Sequence, residues 1–293
     1  MMMQRTIPFF LAAFVLLAAC NKDPYMPDGP ATRVELVNSD ATHGGKNDAQ
    51  DKLAGIRYMT YNIRHCSPPS APGTVDVAAI AKVINDSDAD IIFLQEVDKN
   101  TGRDGYSGDQ AQDLATRTSR NVAFFSAISY QKGFYGVAIL SKYPLKSIKK
   151  YFLTKEQADH EQRVLGTAIV DLPGIDSLVV GVTHLQHNSN GSRVQQVKEV
   201  TNILGREETA VLVGGDLNEN PSATDFFSVW DATFTRTCTG GCGNTYSAQS
   251  PTSQIDHLAF RPAAAFSVQS HTVISEPYAS DHLPVVANLK FNR

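Results

Sequence analysis

The chain has 293 residues, of which 42% are hydrophobic, and carries a formal net charge of −4 at pH 7. That length suits one large domain or two small ones, with ample apolar content for a buried core. The acidic balance argues against the basic face with which a protein tracks a long phosphate backbone, and leaves small or phospholipid-type partners open.

In chain order, residues 1–19 read as a secretory leader, with Arg5 at the positive end and an apolar stretch at 7–19 too short to span a bilayer. It ends in Leu17-Ala18-Ala19-Cys20, which resembles a bacterial lipobox. That resemblance implies cleavage before Cys20, acylation of Cys20, and a lipid anchor in the cell envelope, at the outer membrane. The other reading is ordinary cleavage beside an incidental cysteine. Residues 20–54, rich in Pro, Gly, Asn and Asp, suit a tether, within which Arg33–Val37 could dock as a strand.

The domain is expected over residues 55–293. Strand-like runs are read at 56–61, 90–95, 122–128, 135–141, 164–172, 177–185, 210–215, 255–260, 266–274 and 284–291. Helical spacing appears at 75–86, where Val77, Ile80, Ala81 and Ile84 recur, and again at 108–119 and 192–205. No fixed-period repeat is visible. Many strands in two unequal groups, with few helices between them, predict packed sheets with helices outside.

Apolar runs repeatedly end in acidic, amide or imidazole residues: YMTYNIRH (58–65), DIIFLQEVD (90–98), VVGVTHLQH (179–187), AVLVGGDLNEN (210–220), SQIDHLAF (253–260) and ASDHLPVV (279–286). A buried strand such as Ile91–Leu94 delivers the next polar side chain to a sheet edge. Six converging edges would make one site, furnished with oxygen ligands for a hard cation and imidazoles for proton transfer.

These motifs, in this order, resemble the endonuclease/exonuclease/phosphatase superfamily, over roughly residues 55–293. GDLNENP and SDHLPVVANL are the most specific pieces. The resemblance implies a four-layered α/β sandwich, with two mixed, mainly antiparallel sheets face to face and helices outside. It implies metal-dependent hydrolysis of phosphoesters, with Glu96 the magnesium ligand and Asn62 and Asp281 completing the shell directly or through water; manganese would substitute. Asp216 would orient or deprotonate the attacking water beside Asn218, Asp256 would partner His282, and His184 would be a second imidazole. His257, next to Asp256, should face the opposite side of its strand.

Some positions depart from parts of that superfamily. Abasic-site endonucleases carry tyrosine at His184 and aspartate at Arg64. Residues 132–141 contain no glutamate to partner His184, and Val137 stands where an uncharacterised bacterial branch commonly has asparagine. Arg103, Asp109, Gln110, Arg163, Arg193 and Gln196 match that branch. Of these Arg103 and Arg163, together with Arg64, are candidate substrate contacts. Tyr106, Phe134, Tyr135 and Trp230 are candidate walls.

Cys238 and Cys242 flank a flexible Thr-Gly-Gly, which suits a small disulfide loop or, alternatively, half of a metal site. Cys66 is then a free thiol. Lys142, Lys146, Lys149 and Lys150 read as a solvated strand face. The function expected is a monomeric envelope phosphodiesterase or nuclease-type enzyme. The alternatives are a phosphomonoesterase acting on sugar or inositol phosphates and a surface lipoprotein that binds a phosphorylated ligand without turnover. GxSxG and HExxH are both absent, which argues against serine hydrolase and zincin chemistry.

Overall fold

The computed structural model describes residues 48–293 and the backbone of a strand at 34–36. The leader, Cys20 and most of the tether lie outside the described residues. The strands are β1 (Val34–Leu36), β2 (Gly55–Asn62), β3 (Ile91–Lys99), β4 (Asn121–Tyr130), β5 (Gly133–Ser141), β6 (Leu145–Phe152) and β7 (Val164–Leu172). They continue with β8 (Asp176–His184), β9 (Val211–Asp216), β10 (Thr235–Arg236), β11 (Asp256–Arg261), β12 (Phe266–Val273) and β13 (Val285–Phe291). Among the described residues four α-helices lie between them: α1 (Val77–Ser87), α2 (Gln110–Thr118), α3 (Asn190–Leu204) and α4 (Thr224–Asp231).

One sheet has the order β12-β13-β2-β3-β5-β4 and the other β1-β6-β7-β8-β9-β11-β10. Pairing is antiparallel except at β2–β3 and β8–β9, which are joined through α1 and α3 respectively. Three apolar clusters separate four layers. Ile56, Tyr58, Ile91 and Phe93 of the first sheet meet Val180, Val182, Leu212 and Leu258 of the second. Met59, Tyr61, Ile92 and Leu94, from the opposite face of β2 and β3, pack under α1 and α2. Val211 and Val213 pack with Val197, Val200 and Trp230 of α3 and α4. This is the four-layered α/β sandwich the motifs imply. Because β2, β3 and β9 are buried on both faces, they read as continuous apolar runs. Truncating Phe93 to Ala between the sheets would cost about 3–5 kcal/mol.

Local chemistry sets the helix starts. Asp76, Asp109 and Ser189 accept the backbone N–H groups of Ala79, Gln112 and Ser192 at 2.9, 3.1 and 3.3 Å. The start of α4 at Ala223 has no such cap, and no helix was expected there from the sequence. Trp230 on α4 is fully buried beneath the second sheet, so it is a core residue and not a cavity wall. The lysine cluster is not one solvated face either. Lys142 pairs with Asp88 and Asp90, Lys146 with Asp171, and Lys150 points inward to the Ser126 hydroxyl at 3.0 Å. Cys238 and Cys242 are joined by a disulfide, and Cys66 is a free, buried thiol. Among the described residues no helix is long and apolar enough to cross a membrane.

Candidate active site

Strand register builds the centre of the site. His184 ends β8, Asp216 ends β9 and Asp256 begins β11, with His184 opposite Asp216 and Asp216 opposite Asp256. Three chemistry-bearing side chains thus form one row at the sheet edge. Gly215 lets β8 and β9 approach this closely: a Cβ there would lie 1.9 Å from the Thr183 carbonyl oxygen.

The first sheet supplies the other half. Asn62 ends β2, and Glu96 sits in β3 where the pairing with β5 shifts register between Leu94 and Val97. Glu96 has φ +57°; this bulge re-aims its side chain away from regular alternation. The segment before β13 delivers Asp281 and His282, anchored by the Ser280 hydroxyl donating to the Asn62 carbonyl at 2.7 Å.

Asp216 is the hub. Its Oδ1 accepts the Asn218 backbone N–H at 2.9 Å, and its Oδ2 accepts Asn62 Nδ2 at 3.0 Å. The same Oδ2 lies 3.4 Å from His184 Nε2 and 3.7 Å from His282 Nε2. Asn218, itself at φ +52°, donates its side-chain amide to the Leu185 carbonyl. His282 Nδ1 lies 2.9 Å from Asp256 Oδ2, and both side chains are buried.

The electrostatics follow from burial and neighbours. Burial, with the Asp256 carboxylate next to it, pushes Asp216 above the usual carboxylate range. Burial acts to lower the pKa of His282, but Asp256 and Asp216 together outweigh it and raise the imidazole to about 10. His184 goes the other way, held well below its ordinary value by burial and then by Arg163 and His282. Glu96 is raised by burial, with the Asn62 hydrogen bond opposing.

Asn62 lies between two of the site's carboxylates. Its amide nitrogen faces the carboxylates, donating to Glu96 Oε1 and Asp216 Oδ2, while its oxygen accepts the Arg64 N–H at 3.1 Å. Asn62 thus holds the Glu96 and Asp216 carboxylates in place. The donor set that fits magnesium or manganese is Glu96 with Asp281: both line the cavity, and Glu96 has one oxygen not engaged by Asn62. One or two carboxylates plus waters and phosphate oxygens are what such an ion takes. Asp216, Asp256 and His282 also place ligand atoms within 4.8 Å of one another. The His282–Asp256 hydrogen bond accounts for two of those three.

The cavity in front measures about 440 Å³ and is lined by Glu96, His184, Asp216, Asn218, Asp281 and His282, with Arg163 and Tyr135 as predicted partners. Glu161, His187, Tyr246 and Ile255 also line it; His187 and Ile255 fall within the motifs at 179–187 and 253–260, and no motif covers Glu161 and Tyr246. Arg163 is oriented by Glu161 at 3.0 Å and Gln186 at 3.3 Å. Arg103 is not a wall residue: it pairs with Asp98, contacts His65 and lies over Tyr130 and Tyr135. Arg64 faces Asp281 at 3.4 Å and donates to the Ser67 carbonyl. Gln110, Gln196 and Arg193 tie loops together through backbone carbonyls. Tyr106 donates to Asp113 and packs against the α1–α2 layer. His257 is turned away, with Nε2 donating to the Glu219 carbonyl at 2.9 Å and its ring against Phe227.

Several solved structures share this fold. An endonuclease/exonuclease/phosphatase protein from Beutenbergia cavernae is 25% identical with a TM-score of 0.67, covering 82% of this chain and 72% of that one. A mannosyl-6-phosphatase from Bacteroides thetaiotaomicron is 18% identical with a TM-score of 0.66, covering 80% of this chain and all of that one. The human Nocturnin catalytic domain, solved with a sulfate anion, is 20% identical with a TM-score of 0.60, covering 84% of this chain and all of that one. No curated protein sequence matches this chain. Residues 59–282, which carry every polar group of the cavity's catalytic row, match the Endonuclease/Exonuclease/phosphatase family, and the chain is a member of that family.

Proposed function

We propose that this phosphoester hydrolase acts on small phosphoesters, most directly phosphodiesters, at the Asp216 row, with magnesium as its metal and the cell envelope as its place of work. One observation carries the reading: Asp216 lies within 3.7 Å of two imidazoles while a separate carboxylate, Glu96, faces the same cavity. That arrangement supplies a water-orienting base, hydrogen-bond donors for phosphoryl oxygens and a metal ligand. A cavity of about 440 Å³ matches a small substrate better than a duplex.

A divalent ion at Glu96 and Asp281 would polarise the phosphoryl group and neutralise its charge. The protein's own part is as follows. Asp216, held by Asn218 and Asn62, takes a proton from the attacking water as its oxygen bonds to phosphorus. His282, oriented by Asp256, donates to the leaving oxygen as the ester bond breaks. His184 and Arg163 donate hydrogen bonds to the nonbridging oxygens, where charge grows in the transition state.

A monoesterase is the second reading, favoured by the fold shared with the mannosyl-6-phosphatase. The deciding experiment is an assay of residues 21–293 with bis-nitrophenyl phosphate, nitrophenyl phosphate, sugar phosphates, DNA and sphingomyelin, with and without chelator. Metal-dependent turnover favouring the small diester supports the first reading, and preference for monoesters the second. Activity that survives chelation, or none on any ester, refutes both.

A further inference from the structure

The end of the chain that carries Cys20 joins the fold through β1, and the register of that strand decides where. β1 pairs antiparallel with β6, Val34 opposite Tyr151 and Leu36 opposite Lys149. β6 in turn pairs with β7, Phe152 opposite Val164 and Leu145 opposite Val170. Phe152 and Val164 therefore mark the edge of the second sheet at which Arg163, His184 and Asp216 line the cavity. Leu145 and Val170 lie toward the far edge, where β7 turns into β8. β1 thus begins at the catalytic edge and runs away from it. The strand order puts Val34 two strands from Arg163 and four from Asp216, about 10 Å and about 19 Å across the sheet.

A separate contact gives the same direction further along the chain. Gln50 and Lys52 pack at the turn between β7 and β8: a Cβ on Gly174 would lie 2.8 Å from the Lys52 nitrogen and 2.9 Å from the Gln50 oxygen. The chain therefore meets the domain first at the catalytic edge and next at the far one. The two edges are separated by the 9 residues of β8, about 30 Å.

The length of chain before β1 makes this entry point matter. From Cys20 to Val34 the chain spans at most about 50 Å even when fully extended. A domain of this size is about 45 Å across. A lipid surface that holds Cys20 meets the catalytic edge directly. To meet the far edge instead, the tether would have to pass around the whole domain and spend nearly all of its reach. Exposed side chains agree with that orientation. Tyr246, on the cavity, and Tyr278, in the segment before β13, are 40% and 47% exposed at the catalytic edge. An apolar ring with a polar tip suits a boundary between hydrocarbon and water. The other exposed large hydrophobics among the described residues, Ile175 and Val268, lie apart, one at each sheet.

We propose that β1 holds the catalytic edge toward the lipid surface that carries Cys20, so that the cavity opens on the headgroup layer. The proposal rests on the lipid-anchor reading and deepens it.

The test uses the full lipidated chain in phosphatidylcholine vesicles that contain a rhodamine-labelled lipid. A fluorescent donor is placed on one introduced cysteine: Gln157→Cys, exposed on the loop from β6 to β7 at the catalytic edge, or Ile175→Cys at the far turn. Cys66 is buried and Cys238 is bonded to Cys242, so native thiols do not compete for the label. Energy transfer to the lipid should be several-fold greater from position 157 than from 175. Glu35→Pro combined with Leu36→Pro should flatten or reverse that order. Successive N–H groups of a strand point to opposite sides, so one of the two prolines removes a ladder bond, and the first hold on the domain moves to the far edge. Doubling the tether with a Gly-Ser repeat between Ala31 and Thr32 should also flatten the order, without touching the fold. Equal transfer from both positions, greater transfer from 175, or an order unmoved by either change overturns the proposal. Cys20→Ala should abolish transfer from both positions. A chain with intact Cys20 that transfers from neither is not anchored, which removes the anchor reading and the proposal together. Turnover of bis-nitrophenyl phosphate needs no membrane and reports the phosphoesterase reading separately.

Discussion

The Asp256–His282 pair can be tested with Asp256→Asn. The substitution keeps the shape and a hydrogen-bond acceptor 2.9 Å from His282 Nδ1 but removes the charge. Two unit charges about 4 Å apart at an effective dielectric near 20 attract by about 4 kcal/mol. The retained neutral hydrogen bond offsets about 1 kcal/mol of that. The net loss of about 3 kcal/mol in stabilising a charged imidazole corresponds to roughly a hundredfold fall in kcat, with KM changed only a few-fold. His282→Ala removes the group altogether and should cost at least as much. If the two act as one unit, the double variant should be no worse than His282→Ala alone. Steady-state hydrolysis of bis-nitrophenyl phosphate at saturating magnesium measures all four corners of the cycle, with thermal melts confirming that each variant folds. Multiplicative losses, or a fall below fivefold for Asp256→Asn, would refute the pairing as a catalytic device and leave it a packing contact.

Glu96→Gln should raise the magnesium concentration needed for half-maximal activity by one or more orders of magnitude, read by titrating metal into chelated enzyme; an unchanged metal requirement counts against the assignment. Asp216→Asn should reduce kcat by about 10²- to 10⁴-fold, the usual weight of a general base, with near-normal turnover excluding it from that role. His257 gives a pH test of stability. Burial holds it at about 4 in the fold, against an ordinary 6.5, so the unfolded chain takes its proton first. The fold should therefore lose about 3 kcal/mol as pH falls from 6.5 to 4 and none of this term above 6.5. Urea melts should show that slope flattened in His257→Gln, and an identical slope would refute it. Cys20→Ala should leave the membrane fraction or accumulate as precursor, and equal partition of both forms would refute anchoring.

How much of this was legible in the sequence depends on the backbone context of each group. Asp216, Glu96 and His184 stand out in the sequence because each lies in a strand buried on both faces, just beyond the apolar run that announces it. The partnership of Asp256 with His282, 26 positions apart, came from motif resemblance, since no local pattern encodes a contact between β11 and the segment before β13. The hydrogen bonds of Asn62 to Glu96 and Asp216 join groups far apart in the chain, and no local pattern encodes them. Arg103 lies away from the cavity because its guanidinium is engaged by Asp98 and two tyrosines, contacts no local sequence pattern encodes. Glu161 and Tyr246 were invisible as site residues: they sit on irregular segments, where no periodicity tells a wall from a solvated loop.

Trp230 has a practical use that its place in the core defines. It is the chain's single tryptophan, fully buried among Phe226, Phe234 and the second sheet. It is not among the residues lining the cavity. Its emission therefore reads the solvent exposure of the α3–α4 layer with no background from a second indole. A blue-shifted spectrum that moves to the red in denaturant reports that layer opening. Comparing its midpoint with that of far-ultraviolet circular dichroism, which averages all four layers, tells whether the sandwich comes apart as one unit or sheds its outer helices first.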